Sequence, residues 1–330
     1  MSARSYVTPA NVRRLSMQAV EKRFLAVLVL LSIGMTGCAS LSPDLSSTAA
    51  PGPAPVQTVT SRETEKTEAP VSSAPQEPKK APQKKTIENL TRAVELAPSH
   101  APAYNELGFA YAKKGDYDKA IANYNKALEL DRCYDWALYN RGCAWDEQGK
   151  YDLAIADYGK ALQCNPRYAE AYNNRGNAWY RKERYDEAFQ DYTKAVELAP
   201  RYAIAHYNLG NAWSKKGRYR EAVAEFTTAV QLKPDYSAAY NNRGVVHIML
   251  EQYAEAEKDL MAALELDPDE GSTMVRLAEL YSVKKDIVEA CRWLERGVDK
   301  GYRDFKYIKK AVTLDNIRKW PCYDSALSRK

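Results

Sequence analysis

The sequence predicts an all-α solenoid, and three sets of spacings predict it. Gly108, Gly142, Gly176, Gly210 and Gly244 recur at one constant interval of 34 residues. Ala120, Ala154, Ala188, Ala222, Ala256 and Ala290 keep the same interval, as do Ala93, Ala127, Ala161, Ala195, Ala229 and Ala263. A fixed period of this length marks stacked units, each covering its apolar face with its neighbours rather than with a closed core.

The stretch from Ala169 to Tyr202 shows the unit in full: an aromatic, Gly four residues on, an aromatic three later, then Ala, aromatic, Ala and Pro. This pattern resembles the tetratricopeptide repeat (TPR). The resemblance implies a right-handed α-solenoid of TPR helix pairs, preceded here by a signal peptide and a disordered linker.

Residues 24–35 form an apolar run preceded by Lys22 and Arg23, the n-region and h-region of a secretory signal. The run is too short for a comfortable membrane span. It ends in Met35-Thr36-Gly37-Cys38, which resembles the bacterial lipobox. That resemblance implies cleavage after residue 37 and lipidation of Cys38, with Ala39 rather than Asp next to it pointing to the outer membrane, facing the periplasm. Several acyl chains, each buried CH₂ contributing about 0.8 kcal/mol, anchor stably without a spanning helix. Residues 38–85 follow as a tether. Eight prolines between Pro43 and Pro82 and few large apolar side chains give it no means to offset its ordering entropy. It would reach about 140 Å as polyproline II.

The array itself occupies 86–302. Residues 86–100 read as an isolated second helix that caps repeat one, through Leu90, Ala93, Leu96 and Pro98. Full repeats follow at 101–134, 135–168, 169–202, 203–236 and 237–270, with a degenerate sixth at 271–302. First helices are expected to begin near Tyr104, Tyr172, His206 and Tyr240. Gly115, Gly149 and Gly217 mark turns where a positive φ costs little. Second helices present Ala, aromatic and Ala on one stripe and stop at Pro166, Pro200, Pro234 and Pro268, a place taken by Arg132 in repeat one. The Trp145, Trp179, Trp213 series and the Tyr117, Tyr151, Tyr185, Tyr219, Tyr253 series recur at packing positions. In the tail, 303–330, Ile308, Val312, Leu314, Ile317 and Trp320 are expected to seal the last repeat.

Two repeat positions vary together. The seventh is Leu107, Arg141, Arg175, Leu209 and Arg243; the twenty-third is Asn123, Asp157, Asp191, Glu225 and Asp259. Arg appears only opposite Asp, which predicts structural ion pairs Arg141–Asp157, Arg175–Asp191 and Arg243–Asp259, since a buried Arg without its carboxylate costs several kcal/mol.

Residues pointing to chemistry are scarce. Of the net charge of +5, most belongs to the leader, where Arg4, Arg13, Arg14, Lys22 and Arg23 face only Glu21. The remaining charges are interleaved in sign, with no basic stripe for nucleic acid. His206 and His247 sit at repeat positions without a carboxylate or Cys at ligand spacing, and His100 lies in a turn. No metal site, phosphate loop, nucleophile elbow or paired-carboxylate motif is present, so neither a cofactor, a small-molecule substrate nor an enzymatic activity is expected. Cys133, Cys143, Cys164, Cys291 and Cys322 are odd in number and none has zinc-like spacing. Cys133 with Cys164, and Cys291 with Cys322, could approach, although sequence does not fix connectivity.

What remains is a surface. The TPR resemblance places positions 2, 5, 6, 9, 12 and 13 of each first helix on the concave face. There stand Asn140, Asn174, Asn208 and Asn242 as a column, with Asn105, Asn173 and Asn241 beside it. Phe109, Trp136, Tyr139, Asn177, Tyr180, Arg181, Tyr207 and Asn211 surround them. Asn offers a donor and an acceptor, so the column can pair with the backbone of an extended peptide. It resembles the asparagine ladder in the TPR region of O-linked N-acetylglucosamine transferase. The expected function is a lipid-anchored scaffold for protein or peptide partners in envelope assembly or maintenance, such as pilus or secretin assembly or cell-wall enzyme regulation. A self-associating structural array is the alternative, and a peptidoglycan-active enzyme a more distant one.

Overall fold

The computed structural model describes residues 83–329, with side chains from residue 86 onward. The expected signal peptide at 1–37, Cys38 and the tether up to residue 82 lie outside the described residues.

The described chain is a run of paired helices, and no strand occurs within it. A single helix, α1 (Gln83–Leu96), comes first. Five pairs follow: α2 (Ala101–Lys113) with α3 (Tyr117–Leu130), α4 (Asp135–Glu147) with α5 (Tyr151–Cys164), α6 (Ala169–Arg181) with α7 (Tyr185–Leu198), α8 (Ala203–Lys215) with α9 (Tyr219–Leu232), and α10 (Ser237–Met249) with α11 (Tyr253–Leu266). The sixth pair is α12 (Gly271–Val283) with α13 (Ile287–Asp299), and the tail holds α14 (Phe305–Lys310), a 3₁₀ turn at Val312–Ile317 and α15 (Pro321–Ser328).

Two expectations about boundaries are corrected. First helices begin three residues before the aromatics named above, at Ala101, Ala169, Ala203 and Ser237, and α1 begins at Gln83 rather than residue 86. The N-cap residues His100, Tyr168, Tyr202 and Tyr236 form no side-chain cap hydrogen bond, so the usual start signal is missing from the sequence. At the other end, α3 stops at Leu130 without a proline. Asp131 turns the chain there, its carboxylate accepting from the Cys133 amide at 3.0 Å.

The constant glycine has a direct steric reason. A Cβ on Gly108, Gly142, Gly176 or Gly210 would stand 2.7 Å from the ring of Tyr124, Tyr158, Tyr192 or Phe226, and one on Gly244 would stand 2.8 Å from Leu260. Each ring enters the space that the missing side chain leaves, flanked by alanines such as Ala188 and Ala195 that are completely buried. At the helix turn, Gly115, Gly149 and Gly217 have φ of +82°, +72° and +72°, and Glu183, Glu251 and Lys285 take φ near +60° at the equivalent places in other repeats.

Both ends of the array are covered. Val94 of α1 packs on Ala103 and Leu107. At the other end Tyr307, Ile308, Leu314, Ile317, Tyr323 and Ala326 join the core of the sixth pair. Val312 is half-buried, and Trp320, expected in the seal, is 49% exposed. The tail nevertheless keeps the period: α14 begins one interval after α12, and α15 one interval after α13. It is a shortened seventh unit whose first helix has dwindled to a turn and a half plus the 3₁₀ segment.

Consecutive first helices approach each other more closely than consecutive second helices do. The first helices therefore form the inner, concave wall and the second helices the outer one.

Candidate functional site

The asparagine column lies on this inner wall, at the seams between successive first helices. Asn140 donates to Asn105 Oδ1 at 3.0 Å, and Asn174 to the Tyr139 hydroxyl at 2.9 Å. Asn208 donates to Asn173 Oδ1 at 2.8 Å and Asn177 Oδ1 at 3.1 Å, and Asn242 to the Tyr207 hydroxyl at 3.0 Å and Asn211 Oδ1 at 2.8 Å. Within repeats, Asn173 and Asn241 donate to Asn174 and Asn242. The position-six amide thus reaches back to position five of the preceding repeat every time, meeting Asn and Tyr alternately. This narrows the sequence reading. An amide whose hydrogens already bond a neighbouring repeat has less to offer a peptide, because exchanging one such bond for another gains little net free energy. The column works as a brace between repeats. Its sequence signature could not separate the two uses, since Asn supplies the same donor and acceptor to either.

Of the aromatic members, Trp136 and Phe109 stay closer to the surface, whereas Tyr139, Tyr180 and Tyr207 are buried. Trp136 is 42% exposed and its ring lies against Tyr168 with centroids 6.0 Å apart. Phe109 is half-buried beneath the Lys113 ammonium, 4.7 Å from its ring centre. Tyr139 and Tyr207 pack against Tyr168 and Tyr236 at 4.9 Å. Tyr180 lies edge-on to Tyr185, and its hydroxyl has no hydrogen-bond partner.

The ion pairs anticipated from repeat positions seven and twenty-three are bidentate. Arg141 meets Asp157 at 2.6 and 2.7 Å, Arg175 meets Asp191 at 2.8 and 2.7 Å, and Arg243 meets Asp259 at 2.7 Å through both nitrogens. The aspartates are buried and the arginines mostly so, which makes these pairs braces inside each helix pair. Sequence reasoning missed the counterpart in the fourth repeat, where Leu209 leaves Glu225 without an arginine. His206 takes its place: Nδ1 lies 2.7 Å from Glu225 Oε2 and Nε2 lies 3.0 Å from the Pro200 carbonyl oxygen. Each ring nitrogen thus faces an oxygen. The Glu225 carboxylate raises its pKa above the ordinary value against the opposing effect of burial. His247 hydrogen-bonds Gln252 at 2.7 Å and stands 3.7 Å from Asp259, another carboxylate that spacing along one helix could not reveal.

The position-eleven tryptophans carry cations. Lys150, Arg184 and Arg218 lie 4.7, 4.3 and 5.2 Å over Trp145, Trp179 and Trp213. Farther along the seams, Lys182 pairs with Asp152 and Lys216 with Asp186 of the preceding repeat. One turn beyond the asparagines, on the same face, the pattern changes. Asp146, Glu147, Arg181 and Lys215 form no ion pair among the described residues. Asp146 is buried with Oδ1 unpartnered, and burial pushes its pKa up to about 6, opposed by Arg181. Lys215 is half-buried above the Tyr185 ring, and burial pushes its pKa down to about 8.

Two disulfides join residues 31 apart. Cys133 bonds Cys164, tying the turn that enters the second repeat to the end of its second helix, and Cys291 bonds Cys322, tying α13 to α15. Among the described residues no group of three or more metal-ligating side chains is assembled, and no helix is long and apolar enough to cross a membrane.

Family models for the TPR repeat match residues 147–182, and models for the tetratricopeptide repeat match 101–132, 169–202 and 207–271. The chain carries tetratricopeptide repeats. Solved TPR-like structures resemble it along much of its length. PilF of Pseudomonas aeruginosa aligns over 63% of this chain and 95% of its own, at 22% identity and a TM-score of 0.57. A tetratricopeptide repeat protein from Parabacteroides merdae aligns over 71% and 92%, at 20% identity and a TM-score of 0.53. YrrB, described as a TPR protein with an unusual peptide-binding site, aligns over 57% and 97% at 25% identity, with a TM-score of 0.48. The first two likenesses concern the fold. Among curated proteins, none matches the sequence. The repeat is a scaffold fold that suits protein–protein interaction.

Proposed function

We propose that the protein is a lipid-anchored TPR adaptor of the bacterial envelope, holding extended segments of partner proteins against its concave wall in the periplasm. The observation that carries this reading is the inner face itself. The first helices α2, α4, α6 and α8 carry aromatic or charged side chains there, among them Trp136, Glu147 and Arg181, which are exposed. The rest of each helix is occupied by packing within the array. Such a curved wall of rigid helices offers a preorganised surface, which reduces the ordering cost of binding.

The address rests on sequence. The apolar run ending at Cys38 resembles a lipoprotein signal, and the Pro-rich tether would carry the array away from the membrane surface. Two disulfides suit an oxidising compartment, where such bonds form and persist. Assembly or maintenance of envelope machinery is the setting in which a tethered adaptor of this type serves.

Photo-crosslinking in cells from positions 136 and 181, followed by mass spectrometry, tests the groove. Discrete partners should be captured, and capture should fall when the same probe is placed at Leu153 of a second helix, which is 47% exposed. Equal capture from both faces would refute the concave site. Cys38→Ser should abolish acylation and release the protein from membranes; unchanged fractionation would remove the anchor from the proposal.

A further inference from the structure

Along the concave wall stand charged side chains that form no ion pair among the described residues. Asp146 and Glu147 stand at the end of α4 in the second repeat, Arg181 at the end of α6 in the third, and Lys215 at the end of α8 in the fourth. They lie three and four residues beyond position nine, on the same helical face as the asparagine braces. Their immediate neighbours in sequence show the contrast. Lys182 and Lys216, one residue on, are both in ion pairs with the preceding repeat, whereas Arg181 and Lys215 have aromatic rings for company, Tyr151 and Tyr185 at 5.7 and 6.0 Å.

Asp146 is buried and Lys215 half-buried, while Glu147 and Arg181 are exposed; burial shifts Asp146 and Lys215 in the directions that neutralise them, opposed only in part by Arg181 and by Glu183. A ligand bringing the opposite charge acts against both shifts, in the same sense as Arg181 on Asp146 and Glu183 on Lys215. The order along the wall is basic at Lys113 in repeat one, acidic in repeat two, then basic in repeats three and four. Packed neighbouring helices lie about 8–10 Å apart, and an extended chain advances about 3.3 Å per residue. About three residues of an extended segment therefore cover each step.

We infer that the groove is charge-ordered, and that it takes an extended partner segment with a basic side chain against Asp146 and Glu147 and acidic side chains three and six residues away against Arg181 and Lys215. The inference rests on the groove reading above and specifies the chemistry of its occupant.

The test uses the full chain and fluorescence anisotropy at low salt with four acetylated, amidated peptides. Two carry Lys followed or preceded by Glu at three and six residues, on an alanine and serine background, and cover both chain directions. The other two have every charge inverted. One of the first pair should bind at least fivefold more tightly than its inverted partner. Arg181→Glu with Lys215→Glu should erase or reverse that preference, with circular dichroism confirming the helical array and Arg181→Gln with Lys215→Gln as the milder version. Calorimetry near pH 8 in buffers of different ionisation heat should show proton uptake on binding, as the acidic side chain returns Lys215 to its charged form. Equal binding of both charge orders overturns the inference. So does the absence of binding by all four peptides while crosslinks from position 181 still capture partners. Loss of those crosslinks as well would instead count against the groove reading.

Discussion

The third and fourth repeats occupy the same fold with different side chains at three structural positions, and the differences show which parts of the repeat are rigid requirements. In the third, Arg175 and Asp191 form the internal ion pair, Tyr192 fills the glycine notch, and Glu183 makes the turn at φ +60°. In the fourth, His206 and Glu225 replace the pair, Phe226 fills the notch, and Gly217 makes the turn at φ +72°. The backbone tolerates either solution. In both, a ring fills the notch and the carboxylate between the helices has a nitrogen partner.

The largest difference should come from breaking the ion pair. Arg175→Ala leaves Asp191 buried alone and should cost about 3–5 kcal/mol in denaturant unfolding, whereas replacing both residues by Leu should come close to neutral. Equal losses from the single and double variants would show that Arg175 acts through packing. The notch comes next. Gly176→Ala and Gly210→Ala should each cost about 1–3 kcal/mol by overpacking. Gly176→Ala should be the worse of the two, because displacing Tyr192 also breaks its 2.9 Å hydrogen bond to Asn177, a bond that Phe226 cannot make.

Protonation separates the two repeats qualitatively. The folded His206 pKa lies above the ordinary 6.5, so its stabilisation is complete below 6.5 and fades as pH rises through the folded value. Thermal unfolding of the protein should therefore lose a component of its pH dependence in His206→Tyr. The guanidinium of Arg175 stays charged throughout, and the third repeat should add no slope in that range. The smallest effect belongs to the turn. Glu183→Gly should stabilise by a few tenths to about 1 kcal/mol, since only glycine adopts positive φ without steric cost. No gain would indicate that the Glu183 side chain contributes something the turn geometry does not.

Much of this was legible in the sequence, for identifiable reasons. The 34-residue period exposed the glycine notch and the alanine stripe because each copy repeats the same steric demand. The Arg–Asp pairs were readable because two positions changed together. His206 with Glu225 was not, as the pairing occurs once and joins residues 19 apart on different helices. Helix starts were misjudged because tyrosines occupy the N-cap positions and supply no capping oxygen. The asparagine column was offered to a ligand, and the hydrogen bonds its amides make from one repeat to the next have no signature in the sequence.

The Cys133–Cys164 and Cys291–Cys322 bonds bear on how such an array comes apart. A linear stack of repeats frays from its ends, because a terminal unit has a neighbour on one side only. The Cys133–Cys164 bond closes the second repeat into a loop, and the Cys291–Cys322 bond fastens the shortened seventh unit to the sixth. Unzipping from either terminus thus meets a cross-linked unit, the second repeat with Asp146 inside its loop at one end and the seventh unit at the other. Heat or force would strip the outer units while the wall between the two bonds keeps its curvature.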